Sequence, residues 1–126
     1  MDARLLARTL ACIRIGIGIT LFAAPRTAAR RWIGDDLSRS ASLLTRGLGA
    51  RDLVIGVGQL VAVDDTEHDL ESWLDAGIAA DAADATGALL SRRDLPTAAT
   101  VSTVAIASSG VALGLFVKRA LATELE

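Results

Sequence analysis

Five ionisable residues stand inside otherwise apolar stretches of this chain: Arg14, the adjacent Arg51 and Asp52, and Asp81 with Asp84. Charges in apolar surroundings are costly unless they are paired or wetted, so these five residues require partners. Two guanidiniums face three carboxylates. One carboxylate therefore carries a proton, or it takes a cation or a basic ligand group. If all five are satisfied internally, the set serves to fix helix register. Asp81 and Asp84, at i, i+3 spacing, also have the residue types of a general acid and base. Ser, Thr and His do not converge on them in the sequence, so catalysis ranks last, no catalytic residue is assigned and the expectation leans away from an enzyme.

The elements that carry these charges are helical by periodicity. In the first apolar stretch Ala7, Ala11, Arg14, Gly18 and Leu21 share one face, and small residues flanking a charge suit a face turned toward other helices. The alternative, Arg14 snorkelling to a headgroup, is a long reach from mid-segment. In the second, Gly49, Asp52, Gly56, Gln59 and Val63 align, with Arg51 about 100° away from Asp52. In the third, Gly77, Asp81, Asp84, Ala88 and Ser91 align. The fourth, residues 98–117, runs uncharged and is the cleanest span; it contains the helix-contact pair Gly110 and Gly114.

These stretches predict four helices, at about 5–24, 46–63, 73–91 and 97–118, in one all-α domain, a four-transmembrane-helix bundle. Ser72 and Asp75 match a capping box opening the third helix. Residues 28–33 form either a short interfacial helix, with Trp32 at headgroup depth, or a plain loop. A signal peptide is disfavoured, because Arg8 and Arg14 break its apolar region and Pro25 follows the candidate Ala23-Ala24 cleavage site. Residues 120–126 read as a polar tail.

Composition agrees. Mean hydropathy is +0.44, Tyr is absent and aromatics make up 3% of residues, so the apolar blocks are built from Ala, Gly, Leu and Val. A net charge of −2 without an aromatic platform gives no reason to expect nucleic acid. Cys12 is the single cysteine, which excludes an intrachain disulfide and a CxxC metal pattern. The acidic run 64–71 lacks the EF-hand spacing and glycine, and His68 has no second His or Cys nearby. A solvated acidic loop and no metal are expected there. No pattern names a cofactor.

Depth ties the charges together. At ~1.5 Å rise per residue, Asp52 lies about 6–9 Å and Asp84 about 10 Å in from the same, basic side, while Arg14 and Asp81 fall nearer the middle. This predicts Arg51–Asp84 and Arg14–Asp81 pairs, with Asp52 and Gln59 lining the same cavity. With four spans, Arg26, Arg30, Arg31, Arg39, Arg46, Arg92 and Arg93 share one side, which the positive-inside rule places in the cytoplasm; the terminal Arg4, Arg8, Lys118 and Arg119 argue the other way.

The run Arg46, Gly47, Gly49, Arg51, Asp52, Gly56, followed by a helix bearing Asp81 and Asp84, resembles a bacterial family of small four-helix membrane proteins of unknown function, DoxX-like in appearance. The resemblance covers about residues 5–117. It implies a four-helix integral membrane fold and supplies no activity. The expectation is a multi-pass protein of the bacterial cytoplasmic membrane. Its partners would be lipid and either a homo-oligomer or a larger membrane complex, in which it serves as an accessory or assembly subunit. Gly49, Gly56, Gly110 and Gly114 would be its packing residues. The alternative is a transporter or small-ligand- or ion-binding protein using Arg14, Arg51, Asp52, Gln59, Asp81 and Asp84. A soluble Ala/Leu/Val-cored bundle, with Asp81 and Asp84 on its wet face, is a further reading.

Overall fold

The computed structural model describes residues 2–32, 38–65 and 67–124, with the side chains of Trp32, Glu67, His68 and Asp69 outside the description. The described residues form helices and turns without a strand: α1 (Ala3–Ala23), α2 (Pro25–Trp32), α3 (Arg39–Ala62), α4 (Glu67–Leu90) and α5 (Thr97–Glu124). The four long helices alternate in direction around a ring. α1 packs on α3, α3 on α4, α4 on α5, and α5 returns to α1. The short α2 lies between α1 and α3 in sequence and covers the end where they meet; it occupies the region for which an interfacial helix or a loop was expected.

Close backbone approach makes the α1–α3 pair. A Cβ on Gly49 would sit 2.5 Å from the Phe22 amide nitrogen and 2.7 Å from the Gly18 carbonyl oxygen. Ala7, Ala11 and Gly18 from α1, and Gly49 and Gly56 from α3, are all buried on this seam. An apolar cluster of Ala7, Ala62, Val63, Leu70, Leu74 and Val117 closes the end where the chain termini lie.

Three helix boundaries differ from the sequence expectation. α3 begins at Arg39 rather than near 46, because Ser38 caps it by accepting from the Ala41 amide at 3.2 Å. α4 begins at Glu67 rather than 73. Leu70 and Leu74, one turn apart and 3% and 1% exposed, hold this segment against the bundle. Its acidic residues also suit a helix N-terminus. Ser72 therefore lies within the helix, and the acidic loop shrinks to a turn. α5 continues through the expected polar tail to Glu124, whose carboxylate accepts from the Ala3 amide at 2.9 Å.

Two of the helices, α1 and α5, are long and apolar enough to cross a membrane; α3 and α4 do not meet that measure.

Candidate functional site

The ring of helices brings the five interior charges together. Arg14, on the buried stripe of α1, reaches across the bundle. Its Nη2 donates to Asp81 Oδ2 of α4 at 2.5 Å and its Nη1 to Asp52 Oδ1 of α3 at 3.3 Å. Arg51 of α3 donates through Nη1 and Nη2 to the two oxygens of Asp84, at 2.8 and 2.7 Å. It also turns back on its neighbour, reaching Asp52 Oδ1 through Nη2 at 3.0 Å and Nε at 3.2 Å. The charges alternate in one line: Asp81, Arg14, Asp52, Arg51, Asp84. Asp52 is the link, with one oxygen accepting from both guanidiniums.

Burial is graded along this line. The side chains of Arg14, Asp52 and Asp81 are 9–13% exposed, whereas those of Arg51 and Asp84 are 29% and 31% exposed. The inner pair is thus shielded and the outer pair half-open. Within the inner part, Arg14 Nε is buried and has no hydrogen-bond partner. Buried donors without an acceptor are uncommon in folded proteins.

Glycines seat the charges. Gly77 of α4 lies against the Arg14 guanidinium, where a Cβ would fall 3.2 Å from Nη2. Gly110 of α5 lies directly against the Asp81 carboxylate, and Gly114 against Ile78 at 2.6 Å from where its Cβ would be. The Gly110/Gly114 pair therefore packs α5 on α4 within the chain. Gly77 had been placed on the Asp81 face by periodicity; that it holds Arg14, and that Gly110 holds Asp81, needed the helix neighbours to be known.

Gln59 stands apart from the network. Its Nε2 donates to the Ala7 carbonyl at 2.8 Å, two turns along α3 from Asp52. It ties α3 to the α1 backbone. Two surface concavities lie elsewhere: an apolar groove of about 600 Å³ between α1 and α5, with Arg31 at its edge, and a polar pocket of about 360 Å³ beside the start of α2.

The remaining ionisable and metal-ligating residues are placed as follows. The described residues contain no cluster of three or more His, Cys, Asp or Glu side chains able to hold a metal. Cys12 is exposed on α1. The side chains of Trp32 and His68, and residues 35 and 36, lie outside the described residues. Asp64 pairs with Arg8, and Asp75 with Lys118 at 2.5 Å, so both acidic residues have structural partners.

No family model, curated protein or solved structure matches the chain. The geometry therefore carries the functional reading alone.

Proposed function

We propose that this chain is a small four-span membrane protein of the bacterial cytoplasmic membrane, serving as an accessory or assembly subunit. Its buried Arg/Asp line holds the helices in register. The observation that carries this reading is the distribution of side chains. Beyond the small apolar cluster at one end, the interior is mostly Ala, Gly and charges, while Ile19, Leu43, Val54, Val61, Val101 and Phe116 stand outside at 49–70% exposure. In water such a surface exposes a large continuous apolar area and buries little. In a bilayer the same arrangement gives close helix packing within and apolar contact without.

α3 and α4 fall short on composition; besides those toward their ends, such as Arg46 and Asp75, the charges within them are Arg51, Asp52, Asp81 and Asp84, and these four turn inward to one another or to Arg14. The outward positions of α4 between Asp75 and Ser91 carry no charge. Four exposed hydroxyls are also met without water. Thr9, Thr20, Thr86 and Ser109 each donate to the carbonyl four residues earlier on their own helix, at 2.8–2.9 Å. Such back-bonding satisfies a hydroxyl in a lipid-facing helix.

The subunit role rests on α4. Its exposed middle presents Ala76, Ala79, Ala83 and Gly87, where the other helices present Leu, Ile and Val. Small residues allow a further helix to approach closely in lipid. The test is gentle extraction from the native membrane, followed by measurement of native mass and identification of co-eluting polypeptides. A heavier assembly supports the subunit role, and a lone monomer contradicts it.

One observation favours a second reading, that the network binds a cation or a small ligand. Three carboxylates meet two guanidiniums, which leaves one carboxylate in excess. Under this reading Asp84→Asn abolishes ligand or proton coupling while the bundle stays folded.

A further inference from the structure

Where α1 gives way to α2, the chain forms a polar pocket of about 360 Å³. Arg26 and Thr27 come from the first turn of α2, Ser42 and Arg46 from α3, and Ala23, Ala24 and Pro25 complete the lining. Arg46 is fixed in place. Its Nη1 donates to the Phe22 carbonyl at 2.7 Å, and its guanidinium carbon lies 6.0 Å from the centre of the Phe22 ring. Its Nε and Nη2 are left without an acceptor among the described residues. Arg26, Thr27 Oγ1 and Ser42 Oγ likewise have no partner there, and no described carboxylate lines the pocket.

The start of α2 adds donors. First-turn amides of a helix have no intrahelical acceptor. The first such bond here is from Ala28 to the Ala24 carbonyl at 3.0 Å, which leaves the Arg26 and Thr27 amides outside the ladder. Ala24 has no side-chain oxygen to cap them. The Phe22 carbonyl, four residues before Arg26, is occupied by Arg46.

The pocket thus gathers two arginines on different helices, two hydroxyl-bearing residues and a helix N-terminus, with no matching acid among the described residues. A planar carboxylate is satisfied by one arginine fork. Two forks and two hydroxyls suit a tetrahedral oxyanion, and helix N-termini favour the same group. We propose that this pocket binds a phosphate group. Two sources share that chemistry, the headgroup of an anionic phospholipid and a soluble phosphate.

The test uses full-length protein in detergent, challenged with phosphatidylglycerol and read by native mass spectrometry, and separately with inorganic phosphate and read by calorimetry. The pocket variant combines Arg26→Gln with Thr27→Ala, two exposed side chains whose loss spares the helix contacts. A second variant, Arg46→Gln, removes the other guanidinium. The control combines Arg92→Gln with Arg93→Gln, which removes more charge from the same end of the bundle. The expected result is a loss of about tenfold in the pocket variant, the effect of one charge-assisted hydrogen bond, with the control unchanged. Loss of phosphatidylglycerol retention identifies a lipid source, and loss of inorganic phosphate binding alone identifies a soluble one. Binding of neither probe by the unaltered protein, or equal weakening in the control, overturns the proposal.

Discussion

Arg51 holds Asp84 by two hydrogen bonds, at 2.8 and 2.7 Å, each using a different nitrogen and a different oxygen. This fork joins α3 to α4. Because Arg51 also contacts Asp52, and Asp52 contacts Arg14, a change at the half-open Asp84 is felt at the shielded end of the line. Graded exposure sets unequal energies. Breaking a shielded pair strands a buried charge and costs about 3–5 kcal/mol, whereas a half-open pair contributes about 1 kcal/mol. Arg14→Gln is therefore expected to destabilise the bundle more than Arg51→Gln. Unfolding titrations in detergent measure both, and a double-mutant cycle between Arg14 and Asp81 isolates their coupling. Equal losses at Arg14 and Arg51 would contradict the graded picture.

The glycines give a prediction of opposite signs. Gly49→Ala forces its methyl into the α1 backbone, where nothing flexible can yield, and is expected to cost about 1–3 kcal/mol. Gly16, Gly47 and Gly87 have open space around them. Alanine there removes helix-weakening glycine and is expected to stabilise by about 0.5–1 kcal/mol. Gly110→Ala displaces the Asp81 carboxylate from its seat beside Arg14, so its cost should fall sharply in an Asp81→Asn background. Thermal unfolding of the single and paired variants decides this.

The outward face of α4 tests the subunit role apart from the fold. Ala79→Leu with Ala83→Leu fills the small-residue face without touching the charge line. The expected outcome is a lighter native assembly with unchanged thermal stability. An assembly of unchanged mass would remove α4 as its contact face.

The pairing of Arg51 with Asp84 and of Arg14 with Asp81 was legible because antiparallel helices convert sequence position into depth. The same reasoning did not give the partner of Gln59, since depth alone does not say whether an amide points at a side chain or, as here, at the Ala7 carbonyl. The start of α4 was hidden by competition between two local signals. Ser72 and Asp75 form a good cap pattern, but Leu70 and Leu74 anchor the preceding turn, and burial outweighed the cap. The early residues of α3 are polar and carry no apolar period, so their helix showed only once Ser38 was seen to cap it. Arg26 and Arg46 lie twenty positions apart, and no spacing rule relates residues on separate helices.

The two ends of the proposed four-span bundle differ in charge, which makes its orientation testable. Arg26, Arg30, Arg31, Arg39, Arg46, Arg92 and Arg93 cluster at one end, and the termini lie with Asp64, Asp65 and Asp75 at the other. For the proposed four-span bundle, the positive-inside rule favours the first end in the cytoplasm, with Arg4, Arg8, Lys118 and Arg119 at the other end arguing the opposite way. A C-terminal alkaline phosphatase fusion in a bacterial host is expected to be active. An inactive phosphatase fusion together with a fluorescent green-fluorescent-protein fusion would reverse the orientation.

Whether α3 and α4 cross the bilayer is the central claim, because α1 and α5 could do so by composition alone. The direct measurement is thiol accessibility in sealed vesicles, using Val54→Cys and Ala79→Cys introduced singly into a Cys12→Ala chain, with Ser91→Cys as the exposed reference. The account predicts that a membrane-impermeant, charged thiol reagent labels Ser91→Cys in opened vesicles but leaves both mid-helix cysteines unlabelled, while a lipid-soluble maleimide reaches them. Labelling of Val54→Cys or Ala79→Cys by the charged reagent as fast as Ser91→Cys would place that helix in water and contradict the four-span bundle.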